Sequence, residues 1–291
     1  MLLATLFFSM VNVCVKFLPR IPAIEIVFFR AAVSFILSVG LLQYYRIPML
    51  GNNRKYLFLR GFFGVFSLIL YFYTLQEMPL ASAVTIQYIS PIFTSILAVY
   101  TLGEVMTKRQ WVFLFVSFAG VLLIKGIDAR VPTFYLLLGI ASAAFTSLAY
   151  NSVRRLKDTE HPFVVVFYFP LVALPVTAIF TFMQWVQPQG NEWIVILLMG
   201  LFTQAAQYCM TRAVHAAELS SISYLNYLGI IYALLFGFVL FDETFEWLAL
   251  LGMVLVMSGI LLNLYNRRTK KTTTPAQTNH EDEGDELPFS E

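Results

Sequence analysis

The sequence predicts an all-α, polytopic membrane protein with ten transmembrane helices, arranged as two inverted five-helix repeats. Three observations predict this class: an apolar composition, a series of long apolar segments and an internal repeat. Of the 291 residues, 59% are hydrophobic and only 12% are charged, against about 25% charged in a typical soluble domain. A chain with so few charges needs lipid rather than water around much of its surface.

Ten apolar segments approach the length of about 20 residues that a helix needs to cross a bilayer. Prolines and glycines separate them, as expected of residues that end helices. The candidate spans cover residues 1–18, 24–44, 56–76, 80–102, 108–125, 133–153, 162–185, 192–214, 219–241 and 247–266. Residues 1–18 are interpreted as the first span, because they lack the basic start and small-residue end of a cleavable signal.

The basic residues predict the orientation of the chain. Fourteen of the 19 Lys and Arg residues fall on the side that holds both termini, and four fall on the other side. Basic residues concentrate in cytoplasmic loops, so both termini are expected in the cytoplasm. The predicted location is the cell membrane, taken to be a bacterial inner membrane.

The chain repeats itself at a spacing of 139 residues, because residues 60–124 align with residues 199–263 without a gap. Ten of the 65 aligned pairs are identical, and the predicted spans coincide; Glu104 and Glu243, for example, each close a span. Five spans per half is an odd number, so the second half must enter the membrane from the opposite side. The alternative is that apolar helices align weakly by composition alone.

The repeat divides the chain into three parts. The first repeat covers residues 1–125 and holds helices 1–5, and the second covers residues 133–266 and holds helices 6–10. Residues 267–291 are too polar to pack and predict a disordered cytoplasmic tail. A regulatory or partner-binding tail is the alternative interpretation.

Three segments carry a recognisable pattern. They read EIVFFRAAVSF in helix 2, MPLASAVTIQYISPIFTSILAVYTLGE over helix 4 and LSSISYLNYLGIIYALLFGFVLFDE over helix 9. With the late glycine in the last span of each half, they resemble the EamA family of the drug/metabolite transporter superfamily over residues 1–266. The resemblance implies a central cavity lined by the first four helices of each repeat, with helices 5 and 10 at the periphery.

Polar side chains recur at helical spacing within several predicted spans. Helix 8, for example, has Gln204, Gln207 and Tyr208 on one face. Polar groups are costly in lipid and face the protein interior. Interhelical hydrogen bonds are the simpler interpretation for Ser and Thr, whereas amides and tyrosines suit a wet cavity. The predicted substrate-binding residues are Asn12, Arg30, Tyr71, Gln87, Tyr88, Tyr150, Asn151, Gln204, Gln207, Tyr208, Tyr224, Asn226 and Tyr227.

Arg30 and Pro91 stand out within the predicted spans. Arg30 is interpreted as the one charge well inside a span, where it would bind a substrate anion, hold backbone carbonyls or extend to the membrane surface. The resemblance favours a structural or gating role, because the family carries an arginine there across many substrates. Pro91 frees the carbonyl of Gln87 from its helical hydrogen bond. It is predicted to be a hinge, with a static kink as the alternative.

The acidic residues restrict the substrates. Outside the tail, all eleven Asp and Glu residues fall at predicted span ends or in loops. An exchanger of protons for organic cations uses a carboxylate inside the membrane, so neutral, zwitterionic or anionic substrates are expected. Cys14, Cys209 and the three histidines form no metal-binding or disulfide pattern. No catalytic residue, metal or cofactor is expected.

The expected function is secondary transport of small polar or amphipathic metabolites by alternating access. The expected partners are a small-molecule metabolite and the lipid bilayer, and no nucleic acid. A homodimer is possible. One alternative is a membrane enzyme of lipid metabolism, which would need clustered Asp, Glu or His residues at the membrane surface. The other is a non-transporting accessory subunit, which would lack a polar cavity between its halves.

Reporter fusions test the predicted topology. Reporters placed after Pro188 and after Glu291 should report opposite sides of the membrane, because three predicted spans separate the two positions. Alkaline phosphatase and green fluorescent protein activities provide the measurement. Two fusions that report the same side would contradict the ten-helix topology.

Overall fold

The computed structural model describes residues 2–102, 107–125, 131–156, 159–216 and 227–272, and all regular structure in these ranges is helical. The helices are α1 (Leu2–Lys16), α2 (Ala23–Tyr44), α3 (Arg54–Glu77), α4 (Leu80–Gln87), α5 (Ser90–Leu102), α6 (Lys108–Lys125), α7 (Thr133–Leu156), α8 (Pro162–Met183), α9 (Glu192–Ala216), α10 (Leu228–Phe241) and α11 (Trp247–Thr272). Because α4 and α5 share the fourth predicted span, these helices account for ten spans. The predicted all-α class is confirmed.

Apolar helices form the bundle and its surface. The helices long and apolar enough to cross a membrane are Ala23–Tyr44, Arg54–Glu77, Thr133–Val153, Pro162–Met183 and Glu192–Met210, and shorter apolar helices include Leu2–Lys16 and Leu228–Phe241. Large side chains on the outer surface are strongly exposed: Ile36 is 70% exposed and Phe182 is 71% exposed. Such a surface matches lipid and not water. The chain is a polytopic membrane protein.

The helix bounds recur at the spacing found in the sequence. Adding 139 to both bounds of α2 gives 162 and 183, which are the bounds of α8. The same shift places α3 on α9 and α5 on α10 to within one residue. The principal helix pairs follow this relation, since α1 packs on α9 and α3 on α7, while α2 packs on α8, α4 on α10 and α6 on α11. Exchanging the two halves leaves four of these pairs unchanged, namely α1–α9 with α3–α7, α2–α8 and α6–α11. The counterpart of α4 lies outside the described residues.

Glycines let the paired helices approach closely. A Cβ atom on Gly61 of α3 would lie 2.7 Å from Val172 Cγ2 of α8, and one on Gly200 of α9 would lie 2.5 Å from Val33 Cγ1 of α2. The two contacts are related by the 139-residue shift. Close backbone approach through small residues is the usual means of helix association in membranes.

The tightest approach joins α6 and α11. A Cβ atom on Gly120 would lie 2.6 Å from the Gly252 carbonyl oxygen, and one on Gly252 would lie 2.5 Å from the Gly120 carbonyl oxygen. Each helix therefore packs directly against the backbone of the other. No flexible side chain can move aside to make room, so these positions require glycine.

Several helix boundaries differ from the predicted spans. The fourth span is interrupted between Gln87 and Ser90, and α3 begins at Arg54, two residues earlier than expected. The last helix continues to Thr272, beyond the predicted end at 266. The interruption follows from Pro91, which has no amide hydrogen to donate to the carbonyl of Gln87. Arg54 and Lys55 at the start of α3 are exposed, as expected of charged residues at the end of a span.

Alanine at the glycine contact should destabilise the bundle. Gly120→Ala and Gly252→Ala each place a methyl group against backbone, at a cost of about 1–3 kcal/mol from overpacking. The melting temperature of the purified protein in detergent provides the measurement. Gly40→Ala is the matched control, because a Cβ atom there meets nothing within 4 Å. Equal melting temperatures for Gly120→Ala and Gly40→Ala would contradict the close approach.

Candidate functional site

A hydrogen-bonded network joins α3, α4 and α7 near the centre of the bundle. The Ser67 hydroxyl donates to the Ser142 carbonyl oxygen at 2.9 Å and also contacts the Thr146 hydroxyl. Gln87 completes the network, since its Nε2 donates to Thr146 Oγ1 at 2.7 Å and its Oε1 accepts from Ser142 Oγ at 2.9 Å. The serines and the threonine therefore connect helices, as interpreted from the sequence. Gln87 is held by this network at the end of α4.

Four of the predicted tyrosines lie close together where the two halves meet. The ring centroids of Tyr88 and Tyr227 are 5.4 Å apart, and these residues are related by the 139-residue shift. Tyr150 lies within electrostatic range of both, and Tyr71 lies within range of Tyr88. A side-chain hydrogen bond joins Tyr71 to Asn12. Five predicted site residues thus form one cluster, called here the tyrosine cluster.

The helix break positions Tyr88 for this contact. Tyr88 lies between α4 and α5, and its hydroxyl packs against the backbone of Gly229 in α10. Tyr227 occupies the matching position, immediately before α10 begins at Leu228. The predicted hinge residue, Pro91, lies one residue inside α5. The break therefore brings a polar aromatic side chain from each half to the same point.

Arg30 lies inside the bundle and contacts three neighbouring helices. Its side chain is 8% exposed, and its Nε donates to Thr203 Oγ1 of α9 at 3.1 Å. The guanidinium carbon is 5.7 Å from the ring centroid of Phe72 and 5.6 Å from that of Phe169. Arg30 therefore does not extend to the membrane surface, which removes one of its three predicted roles.

Arg60 is a second charge inside a helix, and the interpretation of Arg30 as the one such charge was wrong. Arg60 was assigned to the cytoplasmic end of helix 3, but it lies six residues after the first residue of α3. Its guanidinium carbon is 5.5 Å from the ring centroid of Phe169, and Tyr150 lies within electrostatic range. In the sequence, Arg60 lies close to Arg54 and Lys55. The three were therefore interpreted as one basic loop, and the position of Arg60 within the helix was missed.

The remaining predicted residues lie on α7 and α9 or outside the described residues. Gln204 and Gln207 are half-buried on α9 and Tyr208 is 44% exposed, while Asn151 is half-buried on α7. Tyr224 and Asn226 lie outside the described residues. The structure thus groups Tyr71, Tyr88, Tyr150, Tyr227 and Asn12, while the role predicted for the α9 stripe stays a prediction.

An ion pair joins the two halves at one end of the bundle, called here the Lys16 end. Glu243 is 8% exposed and pairs with the Lys16 ammonium group. Its two carboxylate oxygens also accept the Leu80 backbone N–H at 3.0 and 2.9 Å, and Lys16 Nζ donates to the Met78 carbonyl oxygen at 2.8 Å. Glu243 thus holds the start of α4, where a negative charge is favoured.

A pocket of about 330 Å³ lies at this same end. It is lined by Lys16, Gln76, Glu77, Met78, Pro79, Pro132 and Glu243. These residues lie at helix ends and not among the predicted substrate-binding residues. Both this pocket and the tyrosine cluster draw on the two halves, but only the cluster consists of predicted substrate-binding residues.

Within the described residues, no group of three His, Cys, Asp or Glu side chains is placed to hold a metal ion. The polar chemistry in this part of the chain comes from tyrosine hydroxyls, amides, hydroxyls and two guanidinium groups. These groups bind by hydrogen bonds and charge and are suited to reversible recognition of a small polar molecule.

The fold is that of a polytopic membrane protein, and comparison with known proteins identifies its family. The model of the EamA-like transporter family matches residues 1–126 and again residues 133–265. The chain belongs to the EamA-like transporter family. It is a secondary transporter of metabolites and not an enzyme.

Named relatives of this chain are transporters from bacteria and mammals. The pseudopaline exporter of Pseudomonas aeruginosa is 30% identical over 273 residues, which cover 92% of this chain and 95% of that protein. Solute carrier family 35 member G1 of Mus musculus is 26% identical, covering 88% and 74%. The S-adenosylmethionine uptake transporter of Rickettsia prowazekii is 24% identical, covering 86% and 85%.

A solved crystal structure has the same fold. Its TM-score to this chain is 0.65, and the match covers 91% of this chain and 95% of the other at 17% sequence identity. At that identity the likeness concerns the fold alone.

The Lys16–Glu243 pair should be strongly coupled. Lys16→Met or Glu243→Gln alone leaves its partner buried without a counter-charge, at a cost of about 3 kcal/mol or more. The double variant should lose less stability than the two single losses together, measured by thermal unfolding in detergent. Arg20→Gln is the matched control. The Arg20 side chain is 43% exposed in its pair with Glu192, and such a pair should contribute little to stability. Additive losses would show that the pair is not coupled.

Proposed function

We propose that this chain carries a small polar metabolite across the cell membrane through a site at the tyrosine cluster. The observation that carries the proposal is the contact between Tyr88 and Tyr227. These residues come from equivalent positions of the two halves, and transporters built from inverted repeats bind substrate where such halves meet. The break between α4 and α5 places Tyr88 and irregular backbone at this point, and irregular backbone within a membrane is tolerated where it is buried in protein or lines a cavity.

The proposed architecture consists of two inverted repeats, residues 1–125 and 133–266. The shared helix bounds and the exchangeable helix pairs support it, as does the twofold match of the family model. Both termini are proposed to be cytoplasmic, which follows from the positive-inside distribution. In this orientation the Lys16 end faces the outside.

Alternating access requires each end of the path to close in turn. We infer that the Lys16–Glu243 pair closes the outer end in the conformation described here. The pair is buried and links α1 and the start of α4 to the residue just beyond α10. Opening the outer end would break these bonds, so the contact would act as a gate between the halves.

The named relatives supply the first substrates to test. Pseudopaline and S-adenosylmethionine are the molecules in the names of two relatives, one an exporter and the other an uptake transporter. We include both in a defined mixture with amino acids and small carboxylic acids. Sealed liposomes that contain the purified protein are loaded with the mixture, and mass spectrometry follows which compounds leave.

Wild-type protein should release at least one compound faster than protein-free liposomes do. Tyr88→Ala and Tyr227→Ala should slow that release by about tenfold or more, because each removes an aromatic contact and a hydroxyl group from the site. Tyr100→Ala is the matched control, since Tyr100 is 82% exposed on the bundle surface. A mixture that leaves no faster than from protein-free liposomes would contradict the proposed function. Unchanged release by both tyrosine variants would contradict the proposed site.

A further inference from the structure

Two guanidinium groups in the bundle, that of the buried Arg30 and that of the half-buried Arg60, share one aromatic ring. Arg30 comes from α2 and Arg60 from α3, and their guanidinium carbons lie 5.6 and 5.5 Å from the ring centroid of Phe169 in α8. Two cations held near one apolar ring repel each other and gain little from solvent. This arrangement is costly unless a further group brings negative charge.

The two arginines keep free donors. Within the described residues, Nη1 of Arg30 and Nε of Arg60 are buried and have no hydrogen-bond partner. Arg30 donates a hydrogen bond from Nε to Thr203. This bond orients the guanidinium group but leaves other N–H donors available. A guanidinium group with free N–H donors matches the two oxygens of a carboxylate.

Protein carboxylates do not fill this position in the part of the chain that the structure describes. The ion pairs found there are Lys16–Glu243 and Arg20–Glu192, and neither includes Arg30 or Arg60. Arg20 lies in the loop before α2, where the hydrogen bonds that it donates to the Glu192 carboxylate raise the pKa of its guanidinium group. Lys16 and Arg20 thus have acidic partners, whereas Arg30 and Arg60 have none within the described residues.

The fold itself does not require arginine at these places. Adding 139 to 30 and to 60 gives Phe169 and Met199, so the second half reaches the same helix packing with apolar side chains. Met199 is fully buried. A purely structural role would be expected to recur in both halves, and here the charge is confined to the first half.

Further polar atoms without partners continue along α2. The hydroxyl groups of Ser34 and Ser38 are buried and have no hydrogen-bond partner among the described residues. With Arg30 they follow at intervals of four residues, so all three lie on one face of the helix. Donors that lack protein partners on one buried face are the pattern left by a ligand or by water.

We propose that Arg30 and Arg60 bind a carboxylate of the transported metabolite, with an apolar part of that metabolite resting against Phe169. This inference rests on the proposed function, because it names the substrate class of the same transport path. Tyr150, 49% exposed and within electrostatic range of both Arg60 and Tyr88, connects this anion site to the tyrosine cluster. The transported molecule is therefore a small carboxylate, and its uncharged amide is a poor substrate.

Matched acid and amide pairs test the proposal. Liposomes with the purified protein are loaded with succinate and succinamide, glutarate and glutaramide, and adipate and adipamide. Release of each is followed by mass spectrometry, and the readout is the ratio of acid to amide rates within each pair. Because each ratio compares two compounds in the same liposomes, it does not depend on how much of a variant folds.

Wild-type protein should release at least one acid about ten- to a hundredfold faster than its amide, the factor expected for a charge-assisted hydrogen bond. Arg30→Gln and Arg60→Gln should each bring that ratio close to one, and Arg30→Lys should retain part of it. Arg109→Gln is the matched control, since Arg109 is an exposed arginine at the start of α6, and it should keep the wild-type ratio.

Three outcomes would overturn the proposal. Equal release of acids and amides by the wild type would contradict the proposed anion site, while the chain would still be a transporter. If Arg30→Gln and Arg60→Gln both keep the wild-type preference for acids, the carboxylate does not bind at Arg30 and Arg60. Release no faster than from protein-free liposomes for every compound, including the earlier mixture, would overturn the proposed function and with it this inference.

Discussion

Polar groups that a chain places within a membrane must find partners inside the protein, because lipid supplies none. The described helices meet this constraint at the contacts between the two halves. Gln87, Ser142 and Thr146 bond to one another across α4 and α7, and Glu243 accepts bonds from Lys16 and from the start of α4. These bonds fix how the halves pair, and the glycine contacts between α6 and α11 bring the backbones together where no polar group is needed.

The same constraint separates the scaffold from the proposed transport path. The network around Gln87 and the Lys16–Glu243 pair are hydrogen-bonded within the protein, whereas Arg30, Arg60, Ser34 and Ser38 keep buried atoms without partners in the described residues, as do Glu25 and Thr181. A path must present such groups, since a substrate can replace its lost hydration only with donors that the protein has left free. In the proposed path, the chemical preference comes from the two arginines, which have apolar counterparts, Phe169 and Met199, at the equivalent positions of the second half.

The sequence predicted the class of fold because apolar length and the 139-residue repeat act over whole helices. The tyrosine cluster was partly predictable, since Tyr88 and Tyr227 occupy repeat-equivalent positions next to a proline or glycine. The position of Arg60 was not, because charge counting treats every arginine near a helix start as part of a loop. The Lys16–Glu243 pair was also missed, since it joins residues 227 positions apart and depends on how the ends of α1 and α10 meet. Local patterns identify which side chains are polar, but the partner of each is decided by helix packing.

A cryo-electron microscopy map of the protein in nanodiscs, with the carboxylate that it transports, tests most directly whether unsaturated groups mark the path. Ligand density is expected between the Arg30 and Arg60 guanidinium groups and over the Phe169 ring, with its carboxylate within hydrogen-bonding distance of Arg30 Nη1. In the ligand-free map, ordered water should occupy the same place. A map in which both guanidinium groups pair with carboxylates of the protein itself, and in which the ligand lies elsewhere, would contradict the central claim.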